Sequence, residues 1–221
     1  MYSDLKIVLM KKPQPFMEKI NIKKWNYPYP LDQKLIDNNY NEFKNIIIKF
    51  GTKIIELDLK NENSELCDSI FTHDPSLVTF EGAIILNMTK NLRKIETKFH
   101  LDIYKNLNIP IIGQLEHDEN VEGGDCLWIN DSLLLVGKSD RTNLKGINKL
   151  KNILNRFNIE TIPISLPKIP NYNCCFHLMS TVSILDKDLI IGYRKFLENS
   201  FFEILKKNKI KFIDIPEDEY F

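Results

Sequence analysis

The sequence has almost no alanine: one, Ala83, in 221 residues. Helices therefore have to be found by the spacing of apolar residues and not by alanine content. Neither sign of charge is in excess, with 30 Lys and Arg against 30 Asp and Glu. Broad electrostatic attraction to nucleic acid or to an anionic membrane has no compositional support, and a small polar or charged metabolite is the more natural partner. Although 43% of residues are hydrophobic, no uncharged apolar run approaches the roughly 18 residues of a membrane-spanning helix. The stretch MYSDLKIVLMKKPQPF sets its short apolar run between charges and has no small-residue cleavage site. Neither a membrane span nor a secretory signal is expected, and the chain reads as cytoplasmic. Cys67, Cys126, Cys174 and Cys175 lack metal-ligand spacing; free thiols are expected, with a structural disulfide as the alternative.

What is present is a repeated order of signals: two short apolar runs around a turn, a small or polar patch, a helical period, and another apolar run. Over Asp68–Leu115, DSIF and LVTFEGAIIL flank the Asp74-Pro75 turn, Ile95, Phe99, Ile103 and Leu107 mark a helix, and IPIIGQL follows. Over Gly124–Leu166, CLWI and LLLV surround Asn130-Asp131, Ile147, Leu150, Leu154 and Phe157 give the helical period, and IETIPISL closes the unit. Over His177–Ile215, TVSIL and LIIGY flank Asp186-Lys187-Asp188, Leu197, Phe201 and Ile204 mark a helix, and IKFIDI returns as a strand. A partial version precedes them, with the strand KIVLM, a helix carrying Ile36, Tyr40, Phe43 and Ile47, and the strand TKIIEL. An α/β chain of ββαβ units, each about 50 residues, is the pattern of a propeller or repeat array. The same elements also fit a single mixed sheet with helices on it. Leu166–Phe176, with two prolines, reads as an ordered loop leading into the third hairpin.

Three stretches carry chemistry. In Val121-Glu122-Gly123-Gly124-Asp125, two glycines permit a sharp turn or close backbone approach, and the flanking carboxylates can face a cation; a plain turn with solvated acids is the alternative. The following GKSDRTNLKGI sets Arg141 and Thr142 at the mouth of a helix, where an arginine can clamp a carboxylate, while Ser139 or Asp140 can serve as the helix cap. Asp68, Phe71 and Asp74 gather two acids and an aromatic at a strand end, although Asp-Pro is also a common turn pair. His177 begins the third hairpin, at a position equivalent to those of Asp68 and Glu122 in the preceding units. An imidazole there suits general acid/base work.

Together, DSIFTHDP, the Arg93-Lys94-Ile95-Glu96 segment, VEGGD, GKSDRTNLKGI and HLMSTVSILDKDLIIGY resemble the dimethylarginine dimethylaminohydrolase branch of the guanidine-modifying (pentein) superfamily, over about Lys6 to Phe221. Arginine deiminases and amidinotransferases are its sister activities. The resemblance implies a pentein-type α/β propeller around a pseudo-fivefold axis, here a single incomplete domain over residues 1–221 with about four units of five. It implies that Glu122 and Asp74 hold a guanidinium, Phe71 lines the pocket, Asp68 contacts an α-amino group, and Arg93 with Arg141 holds an α-carboxylate. His177 would protonate the departing amine and then activate water, after a cysteine has attacked the guanidinium carbon. No metal or organic cofactor is implied, and the partner is a small guanidine.

The family's nucleophilic cysteine belongs to a fifth unit, and this sequence stops at IKFIDIPEDEYF, the end of the fourth. Cys174 and Cys175 do not match its position, and Cys126 reads as a core residue. The expectation is a fragment that lacks turnover, whose uncovered faces would be met by another segment or by a homo-oligomer. His73 departs from the family pattern and bears on the pocket rim and on which guanidine fits.

Overall fold

The computed structural model describes residues 4–57, 66–168 and 176–220, and the expected loop at Leu166–Phe176 lies mostly outside them. The first unit has strand β1 (Ile7–Met10), a helical turn α1 (Ile22–Trp25), helix α2 (Gln33–Lys49) and β2 (Lys53–Glu56). The second has β3 (Ser76–Thr79), β4 (Gly82–Ile85), α3 (Glu96–Asn106) and β5 (Ile111–Gln114). The third has β6 (Cys126–Asn130), β7 (Leu133–Lys138), α4 (Leu144–Asn155) and β8 (Glu160–Ser165). The fourth has a turn α5 (Leu178–Thr181), β9 (Val182–Asp186), β10 (Leu189–Gly192), α6 (Asn199–Lys207) and β11 (Lys211–Asp214), followed by α7 (Glu217–Tyr220).

Among the described residues the strands form four separate sheets, β1-β2, β3-β4-β5, β6-β7-β8 and β9-β10-β11, and not the single mixed sheet. In each three-stranded sheet the first two strands are antiparallel and the third joins parallel after its helix: the ββαβ order read in the sequence. Helix α4 shows why the order repeats. Asn143 caps it through Gly146 N–H at 2.8 Å, and Ile147, Leu150, Ile153 and Leu154 form one buried stripe. That stripe packs on Trp128, Leu134 and Val136 of its own sheet and on Leu77, Ile84 and Leu86 of the preceding one. On the other face of the same sheet, Leu127, Ile129 and Leu135 meet Phe201 and Leu205 of α6. Strand alternation thus sends successive side chains to two different neighbours. Fully burying each such side chain contributes about 1.5–3 kcal/mol.

Several local readings change. The hairpin turn of the second unit is Phe80-Glu81, between paired Thr79 and Gly82, and not Asp74-Pro75. Cys67–Ile70 is a 3-10 turn in place of a strand: the Leu66 carbonyl accepts from both Ser69 N–H and Ser69 Oγ, and the Asp68 carbonyl accepts from Phe71 N–H. His177 heads a helical turn and not a strand, with its N–H donated to Ser180 Oγ at 3.2 Å. The cap of α4 is Asn143, not Ser139 or Asp140. Leu107, Phe157 and Leu197 fall just outside the helices. No helix among the described residues is long and apolar enough to cross a membrane.

Candidate active site

The segments that precede β3, β6 and β9 meet at one place. A carboxylate oxygen of Asp74, one of Glu122 and a ring nitrogen of His177 all lie within 4.8 Å of one another. Two backbone bonds hold the first two segments together: Gly123 N–H donates to the Asp74 carbonyl at 3.0 Å and Gly124 N–H to Asp74 Oδ1 at 3.1 Å. Both glycines are required by close approach. A Cβ on Gly123 would stand 2.0 Å from the His73 carbonyl oxygen, and one on Gly124 would stand 2.6 Å from the His177 ring. The EGGD stretch is therefore a contact surface for its two neighbours as well as a turn.

His177 lies between two carboxylates. Its Nδ1 is 3.0 Å from Asp125 Oδ2, and its Nε2 is 3.5 Å from Glu122 Oε2. Asp125 is fully buried and held in turn by Leu178 N–H at 3.0 Å and Ser139 Oγ at 2.6 Å. Sequence reasoning treated Asp125 as an acid facing a cationic ligand and missed this inward role. No local pattern announces it, because the partner is 52 residues away in the next unit. Glu122, also fully buried, accepts Thr89 N–H at 3.1 Å and takes Arg141 NH1 at 3.2 Å on both oxygens. Burial pushes its carboxyl up, but the His177 hydrogen bond and the charges of Arg141 and Arg93 outweigh this and leave it below the ordinary value.

The other candidates surround this cluster. Arg93 donates from NH1 to Asp74 Oδ2 at 2.7 Å and pairs with Glu96 through Nε and NH2. Asp68 is close by, its carbonyl accepting from Arg93 NH2 at 3.2 Å, but its carboxylate is engaged with Lys90 Nζ at 2.8 Å and the Tyr27 hydroxyl at 2.9 Å. Lys90 also lies over the Trp25 ring, and no local pattern marks it as a partner of Asp68. Phe71 is half exposed, with the Arg93 guanidinium 5.9 Å from its ring centre. The donor types of Asp74, Glu122 and His177 are those of a cation site, yet both carboxylates are already matched by the guanidiniums of Arg93 and Arg141.

The described thiols are not activated. Cys126 sits in the core, as its strand position implied, and burial with the charges of Asp125 and Asp74 raises its pKa. Burial, with Asp68, pushes Cys67 up to about 12. A poised nucleophile needs the opposite shift. Cys174 and Cys175 lie outside the described residues.

Three comparisons bear on this arrangement. An uncharacterized protein of Bacillus subtilis, YkgA, is 26% identical over all 221 residues, and the chain spans 73% of its length. The arginine deiminase of Metamycoplasma arthritidis is 32% identical over 139 residues, which is 61% of this chain and 34% of that protein. A Pseudomonas aeruginosa dimethylarginine dimethylaminohydrolase, solved as a mutant in complex with citrulline, superposes with a TM-score of 0.79 at 20% identity, covering 99% of this chain and 79% of that one. The arrangement of small ββαβ sheets is thus the pentein fold. The family model of arginine deiminase matches residues 59–220, and the chain belongs to that family, within the guanidine-modifying superfamily.

Proposed function

We propose that the site receives the guanidinium of an arginine derivative and serves a C–N hydrolase that converts an Nω-methylated arginine to citrulline and an amine. The observation that carries this reading is the meeting of Asp74, Glu122 and His177, two carboxylates for a delocalised cation and an imidazole for the proton. In this scheme a thiolate adds to the guanidinium carbon and the amine departs with a proton from His177. Water, deprotonated by His177, then adds to the same carbon, and the thiolate leaves as citrulline forms. Asp125 holds the imidazole in orientation, as in other base–orienter pairs. Asp68 and Phe71 line the pocket and Arg141 takes the α-carboxylate, for which it has to release Glu122.

Neither Cys67 nor Cys126 fits the nucleophile, so another cysteine has to supply the thiolate. Without one, the chain binds the guanidine and releases no product. Arginine deimination is the second reading, favoured by the family model that matches the chain. Measuring dimethylamine, ammonia and citrulline from Nω,Nω-dimethylarginine and from arginine separates them. Dimethylamine is expected from the protein with its nucleophile present, and ammonia from arginine alone would select deimination. Near-native turnover by His177→Ala would remove the acid/base assignment. Product release by the 221-residue chain with Cys174 and Cys175 both replaced by serine would overturn the thiolate requirement.

A further inference from the structure

Ser139 can cap a helix by its place in the sequence, but the structure uses it otherwise. Helix α4 is capped by Asn143, and Ser139 lies half-buried just after β7, where its N–H donates to the Thr142 carbonyl at 3.1 Å and closes a turn. Its Oγ donates to Asp125 Oδ2 at 2.6 Å and accepts Arg141 N–H at 3.0 Å and Thr142 N–H at 3.2 Å. The two amides bring their own protons, so the single hydroxyl proton goes to the carboxylate. One oxygen thereby ties the loop that carries Arg141 to the acid beside His177.

Asp125 is fully buried, and rotation about the last bond of an aspartate is only weakly restricted, so contacts have to fix the carboxylate plane. Oδ1 accepts Leu178 N–H at 3.0 Å, and Oδ2 takes Ser139 Oγ while lying 3.0 Å from His177 Nδ1. Leu178 follows His177 in the chain and moves with its turn, whereas Ser139 belongs to the same unit as Asp125. Among the described contacts, Ser139 therefore fixes the carboxylate independently of the residue that the carboxylate orients. A carboxylate oxygen held in this way accepts from Nδ1. That leaves Nε2, 3.5 Å from Glu122 Oε2, as the nitrogen turned to the site.

We propose that Ser139 is a positioning residue: its hydroxyl fixes the plane of the Asp125 carboxylate, and through it the orientation and the protonated nitrogen of the His177 ring. The placing of the ring stands on this geometry, and only its consequence for turnover rests on the proposed guanidine reading. A hydroxyl that merely fills space could be replaced by alanine without effect on the imidazole. One that fixes Asp125 could be replaced by threonine, which keeps the oxygen, and not by alanine.

The test has two parts. In protein labelled with 15N-histidine, long-range 1H–15N spectra with no ligand present tell Nδ1 from Nε2 and show which carries the proton. Ser139→Ala should displace the His177 Nδ1 signal, and Ser139→Thr should keep it near its wild-type place. His100, whose Nδ1 is 2.9 Å from Ser76 Oγ in the second unit, should keep its signals in both variants. An unmoved His177 Nδ1 in S139A overturns the proposal. So does a displacement as large in S139T, or one in S139A that His100 shares, because the cause would then not be the hydroxyl or would lie in the fold at large. In the protein with its nucleophile present, S139A should lower kcat for Nω,Nω-dimethyl-L-arginine by roughly tenfold or more, the size of a lost charge-assisted hydrogen bond. KM should stay nearly constant, as for an interaction used in the reaction and not in binding. An unchanged kcat, with or without a higher KM, overturns the role through His177. If the wild type releases no product from this guanidine while Nδ1 moves in S139A, the guanidine reading fails and the placing of His177 by Ser139 stands.

Discussion

The sheet β6-β7-β8 and the pair β1-β2 are built from similar apolar strands, but they have different surroundings. The former is covered on both faces, by α4 with the preceding sheet on one and by α6 on the other. Helix α2 buries no residue, and Leu35, Phe43, Ile46, Ile48 and Phe50 along it and at its end are exposed. At the opposite end of the array, Leu185 and Ile213 of the last sheet are exposed as well. Each internal helix is packed between its own sheet and the one before it. Among the described residues, α2 has no sheet before it, and β9-β10-β11 is followed by the four-residue α7 and not by the long helix of another unit. The difference teaches that a unit is stabilised by its neighbours more than by its own sequence, as expected of repeat architectures.

The largest effect should come from the covered interior. Leu150, fully buried, belongs to the core cluster that joins the second and third sheets. Leu150→Ala should cost about 3 kcal/mol, within the range for such cavities, measured by urea unfolding. A loss below about 1 kcal/mol would mean that α4 is no better packed than α2 and would break the comparison.

Next comes the joint between units. Gly124→Ala places a methyl group 2.6 Å from the His177 ring. The ring must move away from Asp125 and Glu122, and about 1–3 kcal/mol of overpacking is expected. The imidazole carbon and proton shifts of His177 should change along with stability. Unchanged shifts would show that the turn yields and not the ring, and that the contact between units is soft.

This joint also marks the limit of what the sequence made legible. Strand and helix order were readable because period 2 and period 3.6 survive without alanine, and because the units repeat. Glu122, Asp68 and His177 were readable as equivalent points in successive units, but it is Asp74 and not Asp68 whose carboxylate joins Glu122 and His177. The partners of the site residues were not readable: Asp125 on His177, Glu96 on Arg93 and Lys90 on Asp68 depend on which way a side chain turns after its backbone is placed. The short 3-10 and helical turns at Cys67–Ile70 and Leu178–Thr181 were also missed, since hydrogen bonds of three or four residues leave no periodicity to read.

Acid should sharpen the contrast without touching the core. The pKa of Glu122 is lowered by folding from an ordinary 4.5. Its ionised form is therefore favoured by the native state, and this contribution is present above that value and lost as pH falls below it. The stability advantage of wild type over Glu122→Gln should shrink on acidification below about 4.5, measured by urea unfolding at several pH values. A gap that widens on acidification would reverse the sign and imply that burial dominates over His177 and Arg141.

The smallest effect belongs to α2. Phe43 is 56% exposed in the middle of that helix, so removing its ring takes away little buried area. Phe43→Ala also exchanges an aromatic for a better helix former. The stability change should lie within about 0.5 kcal/mol of zero, the usual range for a surface substitution. A loss near that of Leu150→Ala would require the outer face of α2 to be covered in solution. Its dependence on protein concentration would then tell a second copy, which strengthens the effect as concentration rises, from a cover within the same molecule, which does not.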